Sequence, residues 1–406
     1  MSNLHIKVTL RNRKGFGLRL FRQKTALALS VLAMFMLGFL TWQPLEGPSQ
    51  IKRNGLLSGN NSETRQAAPE ELQQDTKEAG AHESIEKLSA QARGVHVSFR
   101  WAGADDRWNE TLALIDSAGL NAVQLDLKDE SGRLGYTSQV KMAGEIGSGL
   151  VILPMKERLK DLKDRGIYSI ARIVVFRDPF LAQKRPDLMV RTAGGSPLAE
   201  GTWVDPYSKE VQDYNLDLAI EAYQLGFNEV QFDYIRFPEG GAAETAVYSC
   251  KAGDDTRTRV DVIAGYLSYV RSAITWDRLF SATVFGYMSI AEDDQGIGQR
   301  PERMAPFVDY LSPMSYPSHY GPGNYGFDNP NAYPYEVIDA SLKGFKPLVE
   351  SSDCRLRPWL QAFSWSPPPY GRNEIRAQIN ASEDNNIKTW LLWNEDVSYK
   401  PEEIAP

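Results

Sequence analysis

Short runs of alternating apolar and polar residues recur along the last three-quarters of the chain, separated by longer stretches of helical periodicity. In Glu229-Val-Gln-Phe-Asp-Tyr-Ile-Arg-Phe-Pro238, Val230, Phe232 and Tyr234 alternate with Gln231, Asp233 and Ile235, the period of a strand. The apolar row would pack outward on helices. The other row would carry a glutamine and then a carboxylate inward, and Phe237-Pro238 would end the strand because proline cannot continue a central ladder. The same texture predicts strands at Gly94–Arg100, Ala122–Lys128, Ser169–Phe176, Phe280–Gly286, Val308–Tyr316, Arg357–Ser364 and Lys388–Asn394. Helical runs fall at Asp105–Ala118, Lys209–Leu225, Asp254–Asp277, Pro334–Leu348 and Asn373–Asn385, with a short one at Pro301–Phe307. Asp205-Pro206 reads as N-cap and first helical residue ahead of the Lys209 helix.

Three of the strands follow a glycine that suits a left-handed helix cap: Gly119-Leu-Asn, Gly166-Ile-Tyr and Gly226-Phe-Asn. Eight strands alternating with helices in roughly 300 residues predict an α/β fold, a (β/α)8 TIM barrel over residues 94–400. An open doubly wound sheet would usually carry a glycine-rich phosphate loop after its first strand, and none is present.

The segments before the barrel read differently. Residues 1–24 hold seven Lys and Arg and no acid, and form a basic cytoplasmic segment. Residues 25–42 are apolar apart from Thr25, Ser30 and Thr41, about the minimum length to cross a bilayer. No small-x-small cleavage site follows, which favours an uncleaved transmembrane signal-anchor over a removed signal peptide. Residues 43–93, rich in Gln, Glu, Ser, Asn and Ala, read as a low-complexity flexible stalk. The expected setting is a single-pass membrane protein whose C-terminal domain is periplasmic or extracellular.

Charge narrows the partners. Without its first 24 residues the chain holds 38 basic against 52 acidic side chains, a net charge of −14, and a nucleic-acid partner is not expected. Cys250 and Cys354 could form one disulfide in an exported domain or remain free thiols. Four histidines without ligand spacing give no metal site, and no cofactor motif is present. Nothing in the sequence speaks to oligomeric state.

Barrel enzymes carry their chemistry at the C-terminal ends of strands. There Val123-Gln-Leu-Asp126 and Val230-Gln-Phe-Asp233 share one pattern on two even-numbered strands. Matching registers would put Gln124 and Gln231 in one interior layer, with Asp126 and Asp233 in the layer above. Two carboxylates on one cavity are the minimum equipment for splitting a glycosidic bond. Asp233, Asp126 and Asp129 are therefore the catalytic candidates. Arg172 and Arg236 could pair with these aspartates or touch substrate, and Tyr316, His319, Gln361, Trp393 and Asn394 complete the substrate-binding candidates. Trp203, Tyr316, Trp365 and Trp393 could offer faces for sugar stacking.

Several segments resemble the bacterial family described as a putative glycosyl hydrolase domain, related to the α-amylase-like barrels. They are Trp203-Val-Asp-Pro206 leading into Tyr214-Asn215 and Glu221, Gly226 through Pro238, Ser312-Pro-Met-Ser-Tyr-Pro-Ser-His-Tyr320, Asn329-Pro330, Pro334-Tyr335, Arg357-Pro-Trp-Leu-Gln361 and Trp393-Asn394. The resemblance implies a (β/α)8 barrel and glycoside hydrolysis, with the strand-four aspartate, here Asp233, as nucleophile. It also implies a general-acid glutamate at the end of strand five, where this chain has Thr283-Val-Phe-Gly-Tyr287. The nearest acids there are Glu292 and Asp293, so either a loop acid or Asp126/Asp129 would have to serve. The expected function is hydrolysis of an extracytoplasmic polysaccharide or glycan by carboxylates. The alternative is a non-catalytic carbohydrate-binding or envelope-assembly protein on a degenerate barrel.

Overall fold

The computed structural model describes residues 84–275 and 277–406. The basic segment 1–24, the apolar run 25–42 and the stalk as far as residue 83 lie outside the described residues. Among the described residues no helix is long and apolar enough to cross a membrane.

The described residues form eight parallel strands: β1 (Arg93–Val97), β2 (Ala122–Lys128), β3 (Tyr168–Val174), β4 (Glu229–Asp233), β5 (Leu279–Phe285), β6 (Tyr310–Met314), β7 in two pieces (Arg355–Leu356 and Trp359–Gln361) and β8 (Trp390–Trp393). They pair in the order β5-β4-β3-β2-β1-β8-β7-β6, and β6 returns to β5, closing the sheet into a barrel. Every strand expected from the alternation exists. Most end one to four residues earlier than the pattern suggested, and two of them for a visible reason. Ser98 stops β1 by capping the helix Phe99–Ala102, its hydroxyl accepting from the Trp101 amide at 3.2 Å. Strand β4 ends at Asp233 rather than at Phe237-Pro238, because Tyr234 takes a left-handed φ of 49° and turns the chain out of the ladder.

The helix-to-strand glycines behave as their position requires, with φ of 65° at Gly119 and Gly166 and 109° at Gly226. The Lys209–Leu225 helix, however, is capped by Ser208, whose hydroxyl accepts from the Val211 amide. Asp205 instead ties a loop, accepting from the amides of Tyr207 (2.9 Å) and Cys250 (2.8 Å). The helix expected over 254–277 spans Arg259–Ala273, started by a Thr258/Asp261 capping box. A short helix, Pro301–Met304, precedes β6, and after β8 only the short helix Pro401–Ile404 follows.

Two apolar layers hold the barrel. Val123, Leu125, Leu127, Val230 and Phe232 face outward and pack under the helices with no exposure, each worth about 1.5–3 kcal/mol of transfer free energy. The interior is mixed. Its floor is a fully buried ion pair, Glu229 with Arg357 at 2.7 Å, to which Tyr168 and Ser281 add hydroxyl donors. Helical residues 84–89 close that floor from below. Ile85 and Leu88 pack against the interior cluster, and the Ser89 carbonyl accepts from Arg357 at 3.0 Å. The folded unit therefore begins before Gly94, taking in the last part of the segment read as stalk.

Above the floor Gln124 donates to Gln231 at 2.6 Å, and Gln231 donates to Ser281 and Ser312 while accepting from the Trp359 indole. Lateral pairing carries Gln124 through Ile170 to Glu229, two residues short of Gln231. A stagger of two residues across two strands is what the tilt of an eight-stranded barrel demands. It brings the two glutamines to one level, as the repeated motif suggested.

Candidate active site

Asp233 sits where β4 stops, at the wall of a cavity of about 570 Å³ opening at the C-terminal end of the barrel. Its carboxylate is 2.9 and 2.6 Å from Nε and Nη2 of Arg172, which donate to Oδ2. Oδ1 accepts from the Thr283 hydroxyl at 2.6 Å and from the Tyr234 amide at 2.8 Å. These four donors occupy the lone-pair sites of an ionised carboxylate. The left-handed turn at Tyr234 is what aims its amide back at the side chain.

Arg172 projects from β3 into the barrel and is 1% exposed. Besides Asp233 it binds Asp126 through Nη1 at 2.7 Å and Glu130 through Nη2. Burial opposes its charge, but Glu130, Asp233 and Asp126 outweigh that and hold the guanidinium protonated. Asp126 lies beneath it, also beside His96, whose Nε2 is 3.1 Å away. Burial pulls the Asp126 carboxyl up, and the His96 and Arg172 charges pull it further down, so it stays below the usual carboxylate range. His96 stacks on Trp393 at 4.1 Å, and the Arg172 guanidinium lies 4.8 Å from that same indole.

Six of the predicted site residues reach the cavity: Asp233, Arg172, Arg236, Tyr316, His319 and Trp393. Four do not. Asp126 is sealed under Arg172 at 2% exposure, so it anchors the arginine rather than facing substrate. Asp129 folds into its own turn, accepting from Ser131 and from the Arg133 amide, and burial lifts its pKa above the usual value. Gln361 is fully buried and braces the next loop, accepting from the Ser318 amide and donating to the Phe363 carbonyl. Asn394 ties the turn after β8, donating to the Ala362 and Ser398 carbonyls. Trp203 also stays behind the wall, 4.8 Å from the Arg236 guanidinium. Glu292 and Asp293 do not line the cavity; Asp293 accepts from the Gln295 amide in its own loop. Cys250 and Cys354 are free thiols.

Two carboxylates that were not singled out do line it, Glu130 and Glu239. Glu130 arrives through a register shift in β2 between Asp126 and Lys128, a local irregularity of the kind that re-aims a side chain. Glu239 follows Pro238 and pairs with Arg236. The one available signal was placement, since each stands just past an aspartate-bearing strand.

Aromatic groups supply the remaining wall: Tyr234, Phe285, Tyr287, Tyr316, Trp359, Trp365 and Trp393. Trp365 is 74% exposed at the rim. His319 lies among Tyr316, Phe363 and Trp365, and burial pushes its pKa below the usual value, leaving a neutral imidazole able to donate and accept at neutral pH. Among the described residues no group of three or more His, Cys, Asp or Glu is arranged to hold a metal ion.

Comparison with known proteins adds the following. The model of the DUF4015 family, described as "Putative glycosyl hydrolase domain", matches residues 94–399. A hypothetical protein from Ruminiclostridium thermocellum ATCC 27405 is 31% identical over 46% of this chain and 96% of that one, with a TM-score of 0.42. The alpha-L-fucosidase isoenzyme 2 of Paenibacillus thiaminolyticus is 14% identical, covering 78% of this chain and 47% of that one, at a TM-score of 0.51. The catalytic domain of beta-amylase from Paenibacillus polymyxa is 10% identical, covering 78% and 95%, also at 0.51. At such identities the likeness to the last two speaks to the fold alone. No curated protein matches.

Proposed function

The chain belongs to the putative glycosyl hydrolase domain family, and from that premise we propose the chemistry and setting of its glycosidase activity. Asp233 is the nucleophile, Glu130 is the second carboxylate, and the substrate is a polysaccharide outside the cytoplasm. The observation that carries this reading is a single nitrogen. Arg172 Nη2 donates to both Asp233 and Glu130, so the two carboxylates lie within two hydrogen-bond lengths, about 6 Å at most. That spacing suits a retaining pair, about 5–5.5 Å apart, better than an inverting pair with a water between its members.

The two acids are held differently, and the difference assigns their roles. Asp233 is 5% exposed and held in place by four donors. The Thr283 hydroxyl is the neutral, rotatable one, and its departure frees a lone pair for attack. In the first step an Asp233 oxygen bonds the anomeric carbon while the glycosidic C–O bond breaks. Glu130, which takes up a proton once sugar has parted it from Arg172, passes that proton to the leaving oxygen. Its side chain is 31% exposed and can leave Arg172 when sugar enters, as Asp126 cannot. In the second step water attacks the anomeric carbon, gives its proton to Glu130 and releases Asp233.

The membrane setting rests on the sequence: the basic residues 1–24, the apolar run 25–42 and the missing cleavage site support a single-pass anchor with the barrel outside the cytoplasm. The substrate side is supported by the aromatic wall, which suits the apolar faces of sugar rings.

The test is release of reducing ends from a panel of cell-wall and exopolysaccharides. Asp233→Asn is expected to abolish release while the domain melts as wild type does. Asp233→Gly should regain turnover with azide, and Glu130→Gln should lose about 10²–10⁴-fold. Full activity in Asp233→Asn sinks the assignment. Sugar binding without turnover in the wild type favours the non-catalytic alternative.

A further inference from the structure

The cavity holds two buried arginines, and they are partnered unequally. Every nitrogen of Arg172 donates to a carboxylate. Arg236, 4% exposed and also lining the cavity, uses only Nη1, which donates to the Phe237 carbonyl at 3.1 Å and pairs with Glu239. Among the described residues nothing accepts from its Nε or Nη2. Burial pushes its pKa below the usual value, although Glu239, Tyr234 and Asp233 pull the other way. Glu239 is a weak counter-charge, because its side chain is 54% exposed and remains hydrated.

A buried cation with open donors is costly unless a ligand uses them. The open edge has a definite shape. Nε–H and one Nη2–H are parallel and coplanar, the fork that takes both oxygens of a carboxylate. The fork is held in place by three rings, Phe285 at 4.5 Å, Trp203 at 4.8 Å and Tyr234 at 5.1 Å from the guanidinium carbon. Little entropy is left to lose when an anion arrives.

We propose that Arg236 is a specificity residue that binds the carboxylate of an acidic, uronic-acid-type sugar in the substrate chain. The assignment rests on the glycan-cavity reading above and narrows its substrate class. The arginines divide the cavity by charge. Around Arg172 three carboxylates outnumber one guanidinium, which repels an anionic group from the reacting centre. The acidic sugar therefore lies on the Arg236 side, and Glu239 competes with it for the guanidinium.

The test is calorimetric titration of the full-length protein in mild detergent with hexasaccharides of glucuronate, galacturonate and mannuronate, each beside its carboxyl-reduced counterpart. At least one acidic hexamer is expected to bind about tenfold or more tightly than its reduced form. Arg236→Gln should abolish that preference, its loss of affinity for the acidic form exceeding any loss for the reduced form by about tenfold. Arg236→Lys, which keeps the charge and loses the fork, should recover only part of it. Glu239→Gln should strengthen acidic binding several-fold by removing the competitor. Equal affinity for acidic and reduced forms, no binding of any acidic hexamer, or an Arg236→Gln loss that falls equally on both forms overturns the assignment. If Arg236→Gln melts below the assay temperature, Glu239→Gln decides, and no gain there overturns it. An acidic preference in a protein that releases no product keeps the Arg236 assignment and removes the hydrolase reading, whereas turnover confined to neutral glycans does the reverse.

Discussion

At the scale of single residues, the site is organised by Arg172 as much as by Asp233. One guanidinium holds Asp126, Glu130 and Asp233, each of which would otherwise be an uncompensated charge in a nearly closed space. Arg172→Met should therefore cost about 3–5 kcal/mol in urea unfolding, as loss of one partner of a buried ion cluster does. Asp126 gives the cluster a pH signature. Its folded pKa lies below the ordinary aspartate value of about 3.9, so its stabilisation is fully present above that value and is lost as pH falls through the folded one. Asp126→Asn should flatten the decline of stability below about pH 4 in an acid titration followed by circular dichroism. Asp233 was legible because a charged residue in the inward row of a barrel strand has few options, and Arg172 was one of two arginines available to pair with it. Glu130 was not, because a register irregularity in β2 aims it. Gln361 and Asn394 stand at strand ends as candidates should, yet their amides are consumed by neighbouring loops.

At the scale of elements, close approach between strands decides what can be changed. Gly94 is the second residue of β1 and lies against β2, where an added Cβ would be 2.3 Å from the Ala122 carbonyl oxygen. Gly94→Ala must push β1 and β2 apart and should destabilise by about 1–3 kcal/mol, measured by thermal unfolding. The eight strand positions were readable from period-two alternation and helix-ending glycines, which are local properties of the chain. Where β4 ends was not readable. Proline at 238 offered an obvious stop, but the chain leaves the ladder at Tyr234, so its amide can serve Asp233. The level of the two glutamines was readable for a different reason. Stagger follows from closure, and closure follows from the number of strands.

At the scale of the molecule, the barrel needs its floor. Residues 84–89 close it, and a chain starting at Gly94 would lose the Ser89 carbonyl beneath Arg357 together with Ile85 and Leu88 against the interior. A fragment of residues 94–406 should melt several degrees below one of residues 84–406 in a calorimetric scan, since each kcal/mol is worth about 2–4 °C in a domain of 150–250 residues and less in a larger one. The sequence alone determined the barrel, the inward placement of Asp233, and the pairing of the Gln124 and Gln231 levels. All three depend on periodicity and on strand count. The tertiary structure decided which charges face the cavity. It buried Asp126, turned Asp129 away, raised Glu130 and Glu239 to the wall, and left one edge of Arg236 open. Those outcomes depend on where loops from distant strands meet, and the side chains that meet there are separated by tens of residues in the chain.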